Sequence, residues 1–189
     1  MTKKTMWQRI ESWCADNPVE GHAGFNPPAT EADFRSLERA VKLPLSPDFK
    51  EIYSIHNGGG RRFLPEGMWL LCTKEIQKDW NTYRELAEHE RADWSEELGE
   101  WDAPDDEGLH RTCVHHPKRL PLATREDGPE LFLDFAPGPK GTKGQVLYLI
   151  NECDFRVVGS CLRHFLERWL EVLESRKATL SNCRTDGNF

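Results

Sequence analysis

The chain of 189 residues has no apolar run approaching the ~20 residues that a membrane-spanning helix needs. Nor does an apolar stretch follow Lys3 and Lys4 of the kind a secretion signal requires. The expected location is therefore the cytoplasm. Six cysteines stand at positions 14, 72, 113, 153, 161 and 183, with no C-x-x-C pair among them. Without a secretion signal they read as reduced thiols. Cys14, Cys72 and Cys161, set among apolar neighbours, read as small hydrophobes. A basic stripe is also lacking: Arg61-Arg62 and the lysines at 140 and 143 are brief and flanked by turns, which argues against direct nucleic-acid binding. There is no internal repeat and no low-complexity tract.

The residues of catalysis are equally hard to assemble. Ser54 and His56 stand two apart at a helix end and face different ways. Cys161 and His164 are three apart, yet Cys161 opens a helix that packs on the core, and neither pair has a third group to orient it. His110, Cys113, His115 and His116 form one cluster of metal-ligand types, but C-x-H-H with a single distal histidine lacks the second knuckle that tetrahedral zinc demands. The run from Asn57 to Gly60 has no G-K-[ST] and reads as a helix terminus, not a phosphate cradle. No enzyme, cofactor or metal is expected.

What is present is a single domain's worth of alternating pattern, with seven tryptophans. A domain of this size buries roughly 70% of its unfolded surface and needs no staple. Helical spacing of Trp7, Ile10 and Cys14 predicts a helix over residues 3–15, stopped by Asn17-Pro18. Thr30 caps a second helix with Phe34, Leu37 and Val41 on its buried side, and Ser46 caps a third with Pro47 at its first position. A strand is expected over residues 67–72. Thr73 then caps a helix carrying Ile76, Trp80 and Tyr83, whose apolar pattern dissolves after Leu86 and whose continuation towards Leu98 is open. Residues 102–117 read as a loop.

The last third reads as strands over 119–124, 130–135, 145–150 and 155–158, joined by short turns that favour antiparallel pairing. Ser160 begins the clearest helix, with Leu162, Phe165, Leu166, Trp169, Leu170 and Leu173 at i, i+3, i+4 and i+7 spacing. The tail over 177–189 is polar and is expected to be mobile. The fold class is α+β: N-terminal helices, a twisted antiparallel sheet over 67–158, and a terminal helix packed on it. Trp7, Trp13, Trp69 and Trp169 are expected in the core.

Several strings in this order carry a resemblance. They are W-x-x-I-E from Trp7, N-P-P-A-T-E-A-D-F from Asn26, L-P-L-S-P-D-F-K-E-I-Y-S-I-H-N-G from Leu43, and M-W-L-L-C-T-K-E-I from Met68. R-L-P-L-A from Arg119, L-F-L-D-F-A-P-G-P from Leu131 and G-Q-V from Gly144 follow. Together they resemble the SUKH superfamily, which includes the Smi/Knr-type cell-wall assembly regulators of fungi and bacterial toxin-immunity proteins. The resemblance covers about residues 7–173, within a domain taken as 1–176. It departs at Arg125-Glu126-Asp127-Gly128-Pro129, where a more glycine-rich turn is usual, and over residues 85–117, which are longer and more acidic. It implies a protein-binding function without bond chemistry. The first expectation is an immunity protein that sequesters a basic toxin domain, and the alternative is a regulatory or scaffold protein of the fungal type.

The charge says where a partner would sit. Of a net −7, residues 85–107 hold eleven carboxylates against one arginine, which puts that stretch at −10 and leaves +3 for the rest. The candidate partner-binding residues are Glu88, Glu90, Asp93, Trp94, Glu96, Glu97, Glu100, Trp101, Asp102, Asp105 and Asp106. A surface of this sign steers a basic partner, and tryptophans rimmed by charge suit an interface. The competing reading is a solvated helix face with its tryptophans turned inward.

Overall fold

The computed structural model describes residues 5–18, 24–60, 63–93, 100–126, 128–150 and 154–175. Three helices come first: α1 (Met6–Asp16), α2 (Glu31–Val41) and α3 (Pro47–Tyr53). Each starts on the hydroxyl the sequence offers. Thr5 and Thr30 form reciprocal capping boxes with Gln8 and Asp33, and the Ser46 hydroxyl accepts from the Phe49 N–H. Thr5 starts α1 three residues later than its periodicity suggests, because the cap fixes the boundary.

A five-stranded antiparallel meander follows, in the order β1-β2-β3-β4-β5. Its strands are β1 (Trp69–Leu70), β2 (Arg119–Arg125), β3 (Gly128–Asp134), β4 (Gln145–Ile150) and β5 (Asp154–Gly159). Between β1 and β2 runs α4 (Thr73–Asp93), and α5 (Leu162–Glu174) closes the fold. The strand expected over 67–72 shrinks to two residues. Pro65–Gly67 winds into a 3₁₀ turn, where Pro65 cannot serve as a ladder donor.

Side chains leave the sheet in two directions, and the two faces differ in kind. One face sends Leu120, Leu131, Leu133, Val146 and Val158 into the main core. There they meet Leu162, Phe165, Leu166, Trp169, Leu170 and Leu173 of α5, all buried. Burial of side chains of this size contributes about 1.5–3 kcal/mol each. Gly159 makes the approach possible: a Cβ there would stand 2.9 Å from the Phe165 backbone nitrogen. Indole N–H groups tie the helices to the body, Trp169 donating to the Phe63 carbonyl (2.7 Å) and Trp13 to that of Leu173 (2.9 Å). The other face holds a smaller cluster of Phe132, Leu147 and Phe155, with Tyr83 of α4 and Val114 packed against it.

Trp7 and Trp169 are buried as expected, whereas Trp13 and Trp69 are half-buried. Among the described cysteines, Cys14, Cys72 and Cys161 are half-buried, and Cys113, from the loop, is buried. Cys161 is the N-cap of α5, where Ser160 was expected to begin it. Thr73 lies inside α4 and does not cap it. Its hydroxyl accepts from the Asn57 side chain, while Glu75 reaches back to the Cys72 N–H at 2.7 Å.

The His56-Asn57-Gly58 turn does end α3, but through two different devices. Asn57 Oδ1 accepts the Thr73 N–H (2.9 Å). Gly58 takes φ +72° with its Cα so close to β1's end that a Cβ would stand 2.6 Å from the Leu71 carbonyl. Gly58→Ala therefore combines a left-handed backbone with a backbone clash. A loss of at least about 2 kcal/mol is expected in urea denaturation. A midpoint equal to that of the parent protein would show that the turn yields freely.

Candidate functional site

Across the second face of the sheet runs one polar row. Arg119 of β2 pairs in register with Asp134 of β3, and Asp134 with Gln145 of β4. All three are buried, Arg119 at 1% and Asp134 at 0% exposure. A charge this deep needs partners. Arg119 Nη2 donates to the Arg111 carbonyl (2.8 Å), and Nη1 donates to the carbonyls of Cys113 and Val114. Its guanidinium lies 4.3 Å from the centre of the Phe155 ring. Asp134 accepts from the Ala136 N–H (3.0 Å) and from Gln145 Nε2 (3.1 Å), with Arg119 Nε 3.9 Å away. Burial holds the Asp134 carboxyl above its ordinary range, and the arginine opposes that shift.

The row is the anchor of residues 100–117, the loop that lies over it. Gln145 Nε2 also donates to the Leu109 carbonyl (2.9 Å), and the His110 ring contacts the Phe155 carbonyl (3.1 Å). Asp105 organises the loop from within, accepting from the N–H groups of Leu109 (2.7 Å) and His110 (2.8 Å). Burial alone would raise its carboxyl, but these N–H donors and His110 hold it below the ordinary value. At the far end Glu90 of α4 accepts both the backbone N–H and Nδ1 of His115 (3.2 and 3.0 Å).

The sequence-derived candidates thus divide. Glu90 and Asp105 are spent on structure. Trp101 is half-buried and stacks on His116 at 5.7 Å, with Arg91 6.0 Å from its ring, so it is no free anchor. Asp102 is half-buried, and its carbonyl accepts from Arg111 (2.9 Å). Glu88, Asp93, Glu100 and Asp106 are exposed. Trp94, Glu96 and Glu97 lie outside the described residues.

His110, His115 and His116 are directed apart, to the Phe155 carbonyl, Glu90 and the Lys118 N–H respectively. Among the described residues no group of three potential ligands could hold a metal. Ser54 donates to the Glu51 carbonyl while His56 pairs with Glu11. No described helix is long and apolar enough to cross a membrane.

Arg119, Asp134 and Gln145 were not singled out from sequence as a site. Their signal was nonetheless inside R-L-P-L-A, L-F-L-D-F and G-Q-V: a charged or amide residue at the end of an apolar strand. Residues 28–168, which contain all three strings, match the SMI1/KNR4 family (SUKH-1). The chain belongs to that family.

Among its relatives is the cell wall biosynthesis/cell cycle regulator smi1 of Schizosaccharomyces pombe, 30% identical over 80% of this chain and 32% of the relative. The glucan synthesis regulatory protein of Neurospora crassa is 25% identical over 89% of this chain and 38% of the relative. The cell wall assembly regulator SMI1 of Saccharomyces cerevisiae is 21% identical over the same shares, 89% and 38%. The chain therefore spans about a third of the length of these curated relatives.

Two outcomes follow from the row. Replacing Arg119 by Leu strands Asp134 and three loop carbonyls in the interior. The expected loss is about 3–5 kcal/mol, read from the urea midpoint, and a change under about 1 kcal/mol would deny the row its role. His116 makes the second. It is 7% exposed, and burial, with Arg119 adding to it, pushes its ring down to about 4. The unfolded ring binds its proton near pH 6.5, so stability is full above that and falls as the pH drops towards 4, by up to about 3 kcal/mol. Denaturation of His116→Gln between pH 7 and 4 should lose most of that slope. An unaltered slope would assign it to other groups.

Proposed function

We propose that this chain is a protein-binding regulatory module, acting without catalysis, and that the exposed carboxylates of α4 and the anchored loop face its partner. The reading rests on the sorting of charge. Glu88, Asp93, Glu100 and Asp106 stand at the surface, while Glu90 and Asp105 fix the frame that presents them. A fixed array of one sign speeds encounter with a basic surface and rejects acidic ones. The relatives' names speak of regulation of cell-wall and glucan synthesis, which supports the regulatory expectation over toxin immunity. None of them names a toxin.

The experiment is affinity capture with the tagged chain from its own organism, at low salt and again at about 0.3 M, where the screening length is a few ångströms. A reproducible regulatory or signalling partner is expected. In the variant with Glu88, Asp93, Glu100 and Asp106 all changed to Lys, its affinity should fall at least about tenfold, with an unchanged melting temperature. Equal affinity in that variant removes the acidic surface from the proposal. Recovery of a basic toxin domain instead would overturn the regulatory reading.

A further inference from the structure

The sheet ends differently on its two sides. Beyond β1 the pairing runs on, since Leu70 bridges to Gly59 and Gly59 in turn bridges to Phe25. Among the described residues no strand or bridge continues the sheet beyond β5. An edge strand turns the N–H and C=O of alternate residues away from its ladder, where they offer a template to another chain. The contact with His110 marks Phe155 as one of these residues, its carbonyl oxygen lying 3.1 Å from Nε2. The His110 ring also stands edge-on to the Phe155 ring at 5.7 Å and is 12% exposed, so it occupies the space beside the strand. β5 has few protections of its own. Its sequence, D-F-R-V-V-G, contains neither proline nor lysine.

Nor do the charges of β5 repel a second copy. Asp154 and Arg156 are exposed and, standing two apart, lie on one face of the strand. When a second β5 is set antiparallel with Phe155 opposite Phe155, each Asp154 falls opposite the other copy's Arg156. These are the pairs without backbone bonds of their own, in which side chains come closest. The backbone bonds of the same register run from each Phe155 N–H to the opposite Phe155 carbonyl. That carbonyl is the one His110 meets. The arrangement is two-fold symmetric, so one strand serves as both halves of the interface.

We infer that His110 guards the open edge of the sheet, and that what it excludes is β5 of a second copy of this chain. Guard and second strand compete for one carbonyl oxygen. Whatever draws residues 100–117 off the sheet also withdraws His110 and uncovers a strand that matches itself. Loop position and self-association are coupled through that competition.

The test is sedimentation equilibrium of the intact chain and of His110→Ala over a range of concentrations, with a circular dichroism melt of each to check folding. His110→Ala should dimerise at least about tenfold more tightly than the parent. Adding Arg156→Asp sets carboxylate against carboxylate and should abolish that gain. Adding Asp154→Arg as well restores both pairs with their signs exchanged, and the gain should return. A folded His110→Ala that dimerises no more tightly than the parent overturns the guard. A gain that ignores Arg156→Asp, or that the triple variant fails to recover, places the contact on another surface and overturns the inference too. His110→Ser takes the place of the alanine variant if that one melts without cooperativity. If neither folds, His110 belongs to the stability of the fold and the guard is overturned.

Discussion

Arg119 is a permanent cation with 1% of its surface exposed, and the architecture around it follows from that burial. A guanidinium does not shed its proton in a protein, so the interior has to supply acceptors. The sheet provides one carboxylate, Asp134, and that carboxylate is already shared with Gln145 and the Ala136 N–H. The remaining acceptors come from outside the sheet, as the carbonyls of Arg111, Cys113 and Val114. A loop with few apolar residues of its own thereby acquires a fixed path. Cys113 is buried because the segment carrying it is drawn down onto the arginine, and Phe155 lines the floor.

The two faces of the sheet thus work by different physics. On the α5 side, area decides: interlocking aliphatic and aromatic side chains gain in proportion to the surface they remove from water, with little directional demand. On the loop side, direction decides. The fully buried apolar cluster there is small, Phe132, Leu147 and Phe155, and the closing contacts are hydrogen bonds donated by Arg119 and Gln145 to loop carbonyls and the contact of the His110 ring with the Phe155 carbonyl. Such a lid is specific but sensitive to protonation. It also holds strongly acidic residues in place without burying them, since the frame rests on the few carboxylates that do find donors.

What the sequence makes legible divides along the same line. The α5 stripe, the Thr30 cap and the strand over 145–150 are written in periods and local spacings, and the structure returns them with little change. Residues 102–117 are recognisable as a loop, but the anchorage is not, because Arg119, Asp134 and Gln145 become neighbours only through register across three strands. The same limit explains Glu90 and Asp105. Composition places them in an acidic run, and only tertiary contacts distinguish them from Glu88 and Asp106. Cys161 looks apolar by its neighbours, yet it falls at the N-cap, where its Sγ accepts the His164 N–H of the helix it opens.

Two histidines of the loop are held in different ways. His116 is stacked under Trp101 among Arg119, Lys118 and Arg111, and burial together with those cations favours the neutral ring. His110, six residues earlier, lies between the carbonyls of Arg111 and Phe155 and joins the loop to the edge of the sheet. Acid therefore works against the loop at His116, because a proton there would sit buried beside a permanent cation. The same guanidinium that draws the loop onto the sheet thus sets the lower end of the pH range in which the loop is held.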